Sequence, residues 1–212
     1  MIAEVGGTIA LVSLSAFGSV RLSAYIDEVI DSAFFDSRHN VNTSAVGRHA
    51  PSTVRTLRSL LGALPIAYQD SVFVDLGSGK GRALLVAAEL PFKRCIGIER
   101  SHALHEIAQA NLRGYRGGAL RCPQVEPQCL DATDFEFPDE PCVIYMFNPF
   151  PRGVLERIAV NLERSYQRGP RFITVIYMHP SWSKALANLP FLQRTDLSGT
   201  VTDYFEVFSN AV

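Results

Sequence analysis

The sequence predicts an α/β domain built on a buried, largely parallel sheet. Three observations carry this reading. Short β-branched runs alternate with amphipathic helical stretches from residue 51 onward. Hydrophobic residues make up 47% of the chain and charged residues 19%, as a sheet covered on both faces requires. A glycine-rich turn, Gly77-Ser78-Gly79-Lys80-Gly81, joins the first strand of the series to a helix. The 212 residues suit one compact domain with an added segment.

Residues 1–50 read as an N-terminal helical extension, and residues 51–212 as the domain itself. The apolar run Val5 to Phe17 is shorter than the roughly 20 residues that span a bilayer. Glu4 precedes it, where a secretory leader carries Lys or Arg. The run is therefore read as an apolar cap helix, and membrane association is not expected. From Arg21 to Phe35, Leu22, Tyr25, Ile26, Val29, Ile30 and Phe34 recur at helical spacing. Asp36 to Ala50 lacks periodicity and reads as a loop. Pro51 opens a helix whose inner face is Val54, Leu57, Leu60, Leu61 and Leu64.

Ser71 to Asp75 is the first strand of the domain. The helix Arg82 to Leu90 follows the glycine turn and is stopped by Pro91, and Arg94 to Glu99 is the second strand, which completes a βαβ unit. Ser101 is a good N-cap for a helix with Leu104, Ile107, Ala108 and Leu112 on one face, ended by the cluster Gly114, Gly117 and Gly118. Val125 to Leu130 and Cys142 to Phe147 read as strands. Pro151 to Gln167 reads as a helix with Val154, Leu155, Ile158, Leu162 and Tyr166 inside. Arg171 to Met178 is a continuous apolar run, as a strand buried on both faces requires. The C-terminus changes style, with a short helix over Ser181 to Leu189. A closing hairpin follows, from Phe191–Leu197 through the turn Ser198-Gly199-Thr200 to Tyr204–Ser209.

Lys plus Arg number 20 against 21 for Asp plus Glu, so no global positive field exists to hold a polyanion, and bulk nucleic-acid binding is not expected. The cluster Arg152, Arg157, Arg164, Arg168 and Arg171 reads as a solvated helix face, with a local basic patch near the site as the alternative. Cys95, Cys122, Cys129 and Cys142 form no Cys-x-x-Cys pair, which argues against a zinc site, and no metal is expected. Buried reduced thiols and a reducing, cytoplasmic location follow as expectations.

The chemistry concentrates in Asp75-x-Gly77-x-Gly79-x-Gly81. Between a strand and a helix, glycines let the backbone turn sharply and approach a ligand, while the helix N-terminus offers free N–H donors. The spacing is not the Gly-x-Gly-x-x-Gly of a dinucleotide fold. Nor is it a P-loop, since Lys80 is followed by Gly81 and Arg82 and lacks the hydroxyl neighbour that would hold magnesium. A glycine turn with no ligand is the plain alternative.

The pattern resembles motif I of the class I S-adenosylmethionine-dependent methyltransferases. The resemblance covers about residues 51–212. It implies a doubly wound, mostly parallel, seven-stranded Rossmann-like sheet with an antiparallel last strand, and S-adenosyl-L-methionine as cofactor. Asp75, Gly77, Ser78, Gly79 and Gly81 would then line the cofactor's amino-acid end, and Glu99, at the end of the second strand, would accept from the ribose hydroxyls. Cys129-Leu130-Asp131-Ala132 looks like the adenine motif, with Asp134 and Asp139 as nearby rivals. Phe147-Asn148-Pro149-Phe150 falls where such enzymes place groups facing the transferred methyl. It resembles the Asp/Asn-Pro-Pro-Tyr/Phe motif of amino methyltransferases, with the second proline missing. It is also loosely similar to the non-SET histone-lysine methyltransferases, whose glycine motif likewise reads Asp-Leu-Gly-Ser-Gly.

These likenesses imply a methyltransferase acting on an amine nitrogen of a protein lysine or a small molecule, with Asn148 and Phe150 at the reacting centre. His179, in Tyr177-Met178-His179-Pro180, is the candidate general base. His49, before the helix that Pro51 opens, is expected at the same sheet edge, and His102 and His105 are read as solvated or near adenine. Simpler readings stand beside these: an exposed acid for Glu99, a loop acid for Asp131, an Asn-Pro turn for Asn148 and a loop histidine for His179. A non-catalytic cofactor-binding partner protein and a nucleotide-dependent oxidoreductase are the alternative functions.

Overall fold

The computed structural model describes residues 3–5, 8–10, 54–116, 119–196 and 205–210. Two short strands, β1 (Ala3–Val5) and β2 (Thr8–Ala10), pair antiparallel. They overlap the run Val5 to Phe17, read as an apolar cap helix, at Val5 and at Thr8–Ala10. The helix expected over 21–35, the loop over 36–50 and the segment around His49 lie outside the described residues.

The remaining strands are β3 (Val72–Leu76), β4 (Arg94–Glu99), β5 (Val125–Cys129), β6 (Cys142–Phe147), β7 (Ile173–Met178), β8 (Gln193–Arg194) and β9 (Phe205–Ser209). They form one seven-stranded sheet in the order β5-β4-β3-β6-β7-β9-β8. Strands β3 to β7 are mutually parallel, and β9 runs antiparallel between β7 and β8. The chain winds outward from β3 in one direction and returns to β6 on its other side. The C-terminal ends of β3 and β6 thus flank the point where strand order reverses, the usual position of a ligand crevice in such sheets.

Strand alternation sorts the core into two layers. Phe73 faces the layer of α1 (Val54–Ala63) and α2 (Arg82–Ala88), where its ring meets Phe92 and stacks on Tyr145. Val72, Val74 and Leu76 face the opposite layer, with Ile144, Met146 and the Leu155, Ile158 and Leu162 stripe of α4 (Arg152–Arg168). Burial of each such side chain contributes about 1.5–3 kcal/mol. The expected inner face of α1 is buried throughout. On α3 (His102–Gly114) Ser101 caps the N-terminus by accepting from the Leu104 N–H, while the buried positions are Ala108 and Asn111, with Leu104 and Ile107 only half covered.

Three local expectations change. Among the described residues of the expected strand Phe191–Leu197, Gln193 and Arg194 pair with β9 and the Thr195 N–H donates to the Val207 carbonyl at 2.8 Å, while Phe191 turns aside to stack on Tyr166 of α4 with ring centroids 4.0 Å apart. The short helix α5 is confined to Lys184–Ala187. The turn Ser198-Gly199-Thr200 lies outside the described residues. Arg171 is no part of a solvated face. It donates to the backbone carbonyls of Glu140, Ser165 and Gly169 and to Ser165 Oγ, closing the end of α4 onto β6.

Among the thiols, Cys95, Cys122 and Cys142 are buried, but Cys129 is exposed, since it ends the edge strand β5. Among the described residues no helix is long and apolar enough to cross a membrane, and no group of three His, Cys, Asp or Glu side chains could hold a metal ion.

Candidate active site

All five parallel strands end at one edge of the sheet, and the described candidates Asp75, Gly77 to Gly81, Glu99, Asp131, Asn148, Phe150 and His179 lie at those strand ends or in the turns that leave them. The glycine loop leaves β3 and is pinned to β4. The N–H groups of Gly77 and Ser78 both donate to the Ile98 carbonyl at 2.9 Å, and the Gly81 N–H closes back on the Ser78 carbonyl at 2.9 Å. Gly77, Gly79 and Gly81 have φ of 79°, 53° and 81°, the left-handed region that side chains rarely enter. Gly77 also leaves room for a neighbour: a Cβ there would lie 2.5 Å from Cβ of Pro149 and 3.9 Å from the ring of Phe150. The turn that follows β6 therefore rests directly on the glycine loop.

Glu99 ties the loop to the next helix. Its Oε2 accepts from the Gly79 N–H at 3.0 Å and its Oε1 from the Ser101 N–H at 2.7 Å. Each carboxylate oxygen keeps a further lone pair for a ligand. Asp75 is buried beneath the loop, 2% exposed. Burial, reinforced by the charge of Glu99, pushes its carboxyl up to about 8. Ser78 takes a different direction from its neighbours: its side chain packs over Gly97 of β4, where a Cβ would come within 3.0 Å of Ser78 Oγ. That hydroxyl is buried without a hydrogen-bond partner, so the loop offers its backbone at this position.

Asn111 is a contributor that the sequence did not flag. From its buried place on α3 its amide donates to the Lys80 carbonyl at 2.8 Å, bracing the loop from the side opposite β3. Only its offset of three from Ala108 on an otherwise apolar face could have marked it. Asn111→Leu would remove this buried hydrogen bond, and we expect a loss of about 1–3 kcal/mol in unfolding free energy, read by urea denaturation.

At the end of β5, Asp131 caps a short 3₁₀ turn, Ala132–Asp134. Its Oδ1 accepts from both the backbone N–H and the hydroxyl of Thr133, at 2.9 and 2.8 Å, and these bonds, the backbone one first, hold its carboxyl below the usual range. Its Oδ2 lies 3.8 Å from the exposed Arg100 guanidinium. Ala132 is buried beside it, whereas the rivals Asp134 and Asp139 are exposed. His102 lies 3.6 Å from Glu106, and His105 hydrogen-bonds Gln109, both along α3.

Strands β6 and β7 end alike. Phe147 pairs with Met178, and the next residues, Asn148 and His179, both take left-handed backbone, φ 41° and 47°. Such angles are uncommon for residues other than glycine and cluster at functional sites. The Asn148 amide donates to Ser181 Oγ at 2.9 Å and its Oδ1 accepts from the Tyr177 hydroxyl at 2.9 Å. The His179 ring lies 5.0 Å from that of Phe147. Phe150 thus lies against Gly77, Asn148 and His179 occupy matching positions at the ends of β6 and β7, and Tyr177 and Ser181 are tied to them through the Asn148 amide.

This architecture is that of the class I S-adenosylmethionine-dependent methyltransferases. A predicted N6-adenine-specific DNA methylase from Listeria monocytogenes superposes on 82% of this chain with a TM-score of 0.57 at 15% identity, and the match spans 54% of that longer protein. A precorrin-6y C5,15-methyltransferase from Geobacter metallireducens matches 82% of this chain and 94% of its own with a TM-score of 0.56 at 14% identity. An RNA methyltransferase from Salinibacter ruber, solved with S-adenosyl-L-homocysteine, matches 76% and 92% with a TM-score of 0.51 at 19% identity. In sequence, residues 53–119 match the family model described as histone methylation protein DOT1. No curated protein sequence matches the chain.

Proposed function

We propose that this protein transfers a methyl group from S-adenosylmethionine to an amine nitrogen, of a protein lysine or a small molecule. The observation that carries the reading is the seating of Pro149 and Phe150 on Gly77. It joins the loop suited to the cofactor to the turn suited to the acceptor. Sequence likeness to the DOT1 model covers only residues 53–119. That stretch supports the cofactor reading, and the acceptor is argued from the turn after β6.

The residues present fit the cofactor. Left-handed glycines leave the loop open to close approach. Burial and the charge of Glu99 raise the Asp75 carboxyl, a state that a ligand ammonium beside it would relieve, and Glu99 keeps a lone pair on each oxygen for vicinal hydroxyls. The cofactor supplies a methyl already activated by its sulfonium. The protein's part is then to orient and to exclude water. Gly77 to Gly81 and Asp75 would hold the amino-acid end, Glu99 the ribose, and Asp131 through its Oδ2 with the Ala132 backbone the adenine. Asn148 would accept a hydrogen bond from the incoming amine and aim its lone pair, Phe150 would shield the reacting carbon, and His179 would take the proton that an ammonium acceptor must lose.

Isothermal titration with S-adenosylmethionine and S-adenosylhomocysteine tests the cofactor. We expect roughly micromolar binding that weakens at least about tenfold in Glu99→Ala, about 1.4 kcal/mol. A folded wild-type protein that binds neither would overturn the proposal. Transfer of tritiated methyl to lysine-rich protein against free amines then separates the two acceptor classes.

A further inference from the structure

We infer that Tyr177 and Ser181 are positioning residues that lock the side chain of Asn148 in one orientation, so that its amide oxygen is presented to the acceptor. The inference rests on the proposed role of Asn148 and deepens it. Tyr177 lies opposite Met146 in the β6–β7 register, one residue before the strand end, and its ring is buried in the layer beneath α4. From there its hydroxyl reaches forward along the sheet face to Asn148.

The direction of each bond is settled by what the Tyr177 hydroxyl must do. It accepts from the Ser181 N–H at 3.4 Å, which leaves its single proton for a second partner. That partner is Asn148 Oδ1, at 2.9 Å. The amide is thereby oriented with its oxygen on Tyr177 and its nitrogen on Ser181 Oγ, 2.9 Å away. An amide so held cannot exchange its oxygen for its nitrogen without breaking both bonds. One lone pair of Oδ1 and one Nδ2 proton remain, on an exposed residue.

The left-handed backbone of Asn148 and His179 gives the clamp its setting. It turns both strands at the same level and brings Ser181, four residues after Tyr177, back over the tyrosine hydroxyl. The chemistry asks for this arrangement. An amide free to flip would offer the acceptor amine a donor half of the time, and two donors face to face repel. Tyr177 and Ser181 would raise the rate by excluding that state, without touching either reactant.

A test that needs no acceptor uses sinefungin, the cofactor analogue in which an amine-bearing carbon replaces the sulfonium and its methyl. The amine lies where the methyl would be, so a correctly aimed Asn148 oxygen binds it and S-adenosylhomocysteine does not report on it. Both affinities are measured by isothermal titration for the full chain and for Asn148→Ala, Asn148→Asp, Tyr177→Phe and Ser181→Ala. We expect sinefungin affinity to fall roughly tenfold in Asn148→Ala and severalfold in Tyr177→Phe and Ser181→Ala, with S-adenosylhomocysteine affinity within about twofold of wild type. Asn148→Asp should keep sinefungin binding, because either carboxylate oxygen accepts.

The outcomes separate. Loss in Asn148→Ala but not in Tyr177→Phe or Ser181→Ala overturns the clamp and leaves the acceptor reading standing. No change in Asn148→Ala overturns the placement of Asn148 itself. Equal loss of both ligands in the clamp variants reduces Tyr177 and Ser181 to a structural role. Ser181 is exposed, so Ser181→Ala carries the test even where the buried Tyr177→Phe fails to fold.

Discussion

Gly77→Ala is expected to lower S-adenosylhomocysteine affinity at least about a hundredfold, close to 2.7 kcal/mol. Two independent causes act at this residue. A side chain at φ 79° is strained by about 1–2 kcal/mol. The new methyl would also stand 2.5 Å from Cβ of Pro149 and 2.9 Å from its Cγ, atoms of a ring that cannot rotate away. Relief requires the turn after β6 to lift from the loop, which opens the crevice. The melting temperature should fall as well. Gly62→Ala is the matched control: nothing lies within 4 Å of the added methyl, and in the last turn of α1 it should leave binding unchanged and stabilise by about 0.4–1 kcal/mol. Full binding by Gly77→Ala would mean that the two turns are not packed as one unit.

Asp75 makes stability and binding depend on pH in opposite senses. Burial, then the nearby charge of Glu99, raises its carboxyl from 3.8 to about 8. Between those values the folded chain keeps a proton that the unfolded chain has released. The unfolded state binds fewer protons there, so stability falls as pH rises through this window and levels off above it. The steepest slope is about 1.4 kcal/mol per pH unit. Asp75→Asn cannot ionise, and the difference in melting temperature between the two proteins should therefore widen from pH 5 to pH 8.

A ligand ammonium beside Asp75 favours the ionised form, so binding at pH 7 should expel up to one proton. Titration in two buffers of different ionisation enthalpy measures it directly. Asp75→Asn should show no such release. Binding without proton release by the wild-type protein would place the ammonium elsewhere.

What the sequence made legible follows the range of the forces involved. Strands β3, β4, β6 and β7 announce themselves as buried β-branched runs, and Ser101 as a cap, because burial on both faces and the first turn of a helix are local matters. The glycine loop, Glu99 and Asn148 are likewise readable, since their place at strand ends follows from βαβ order. Pro149 over Gly77, Tyr177 on Asn148 and Asn111 on the Lys80 carbonyl were not readable. Each joins residues separated by about thirty or more positions or depends on the register of two strands, and no periodicity records that. Arg171 was misread for a related reason: its neighbours in sequence are surface arginines, whereas its partners in space are carbonyls at the end of α4. The expected first strand of the closing hairpin begins late because Phe191 stacks on Tyr166, a competition between edge pairing and aromatic packing.

Gly97, in the middle of β4, bears on how the site meets its ligand. A Cβ there would fall 2.4 Å from Leu84 of α2 and 3.0 Å from Ser78 of the loop. Helix, loop and strand therefore touch across a gap too small for one carbon atom. A loop wedged in this way has little freedom to lose when a ligand arrives, so ordering adds little to the cost of binding. Altering which cofactor the crevice accepts would mean repacking the sheet beneath it. Under the proposed function, the choice of cofactor would be settled when the chain folds, and only the acceptor would be left to be chosen at the surface.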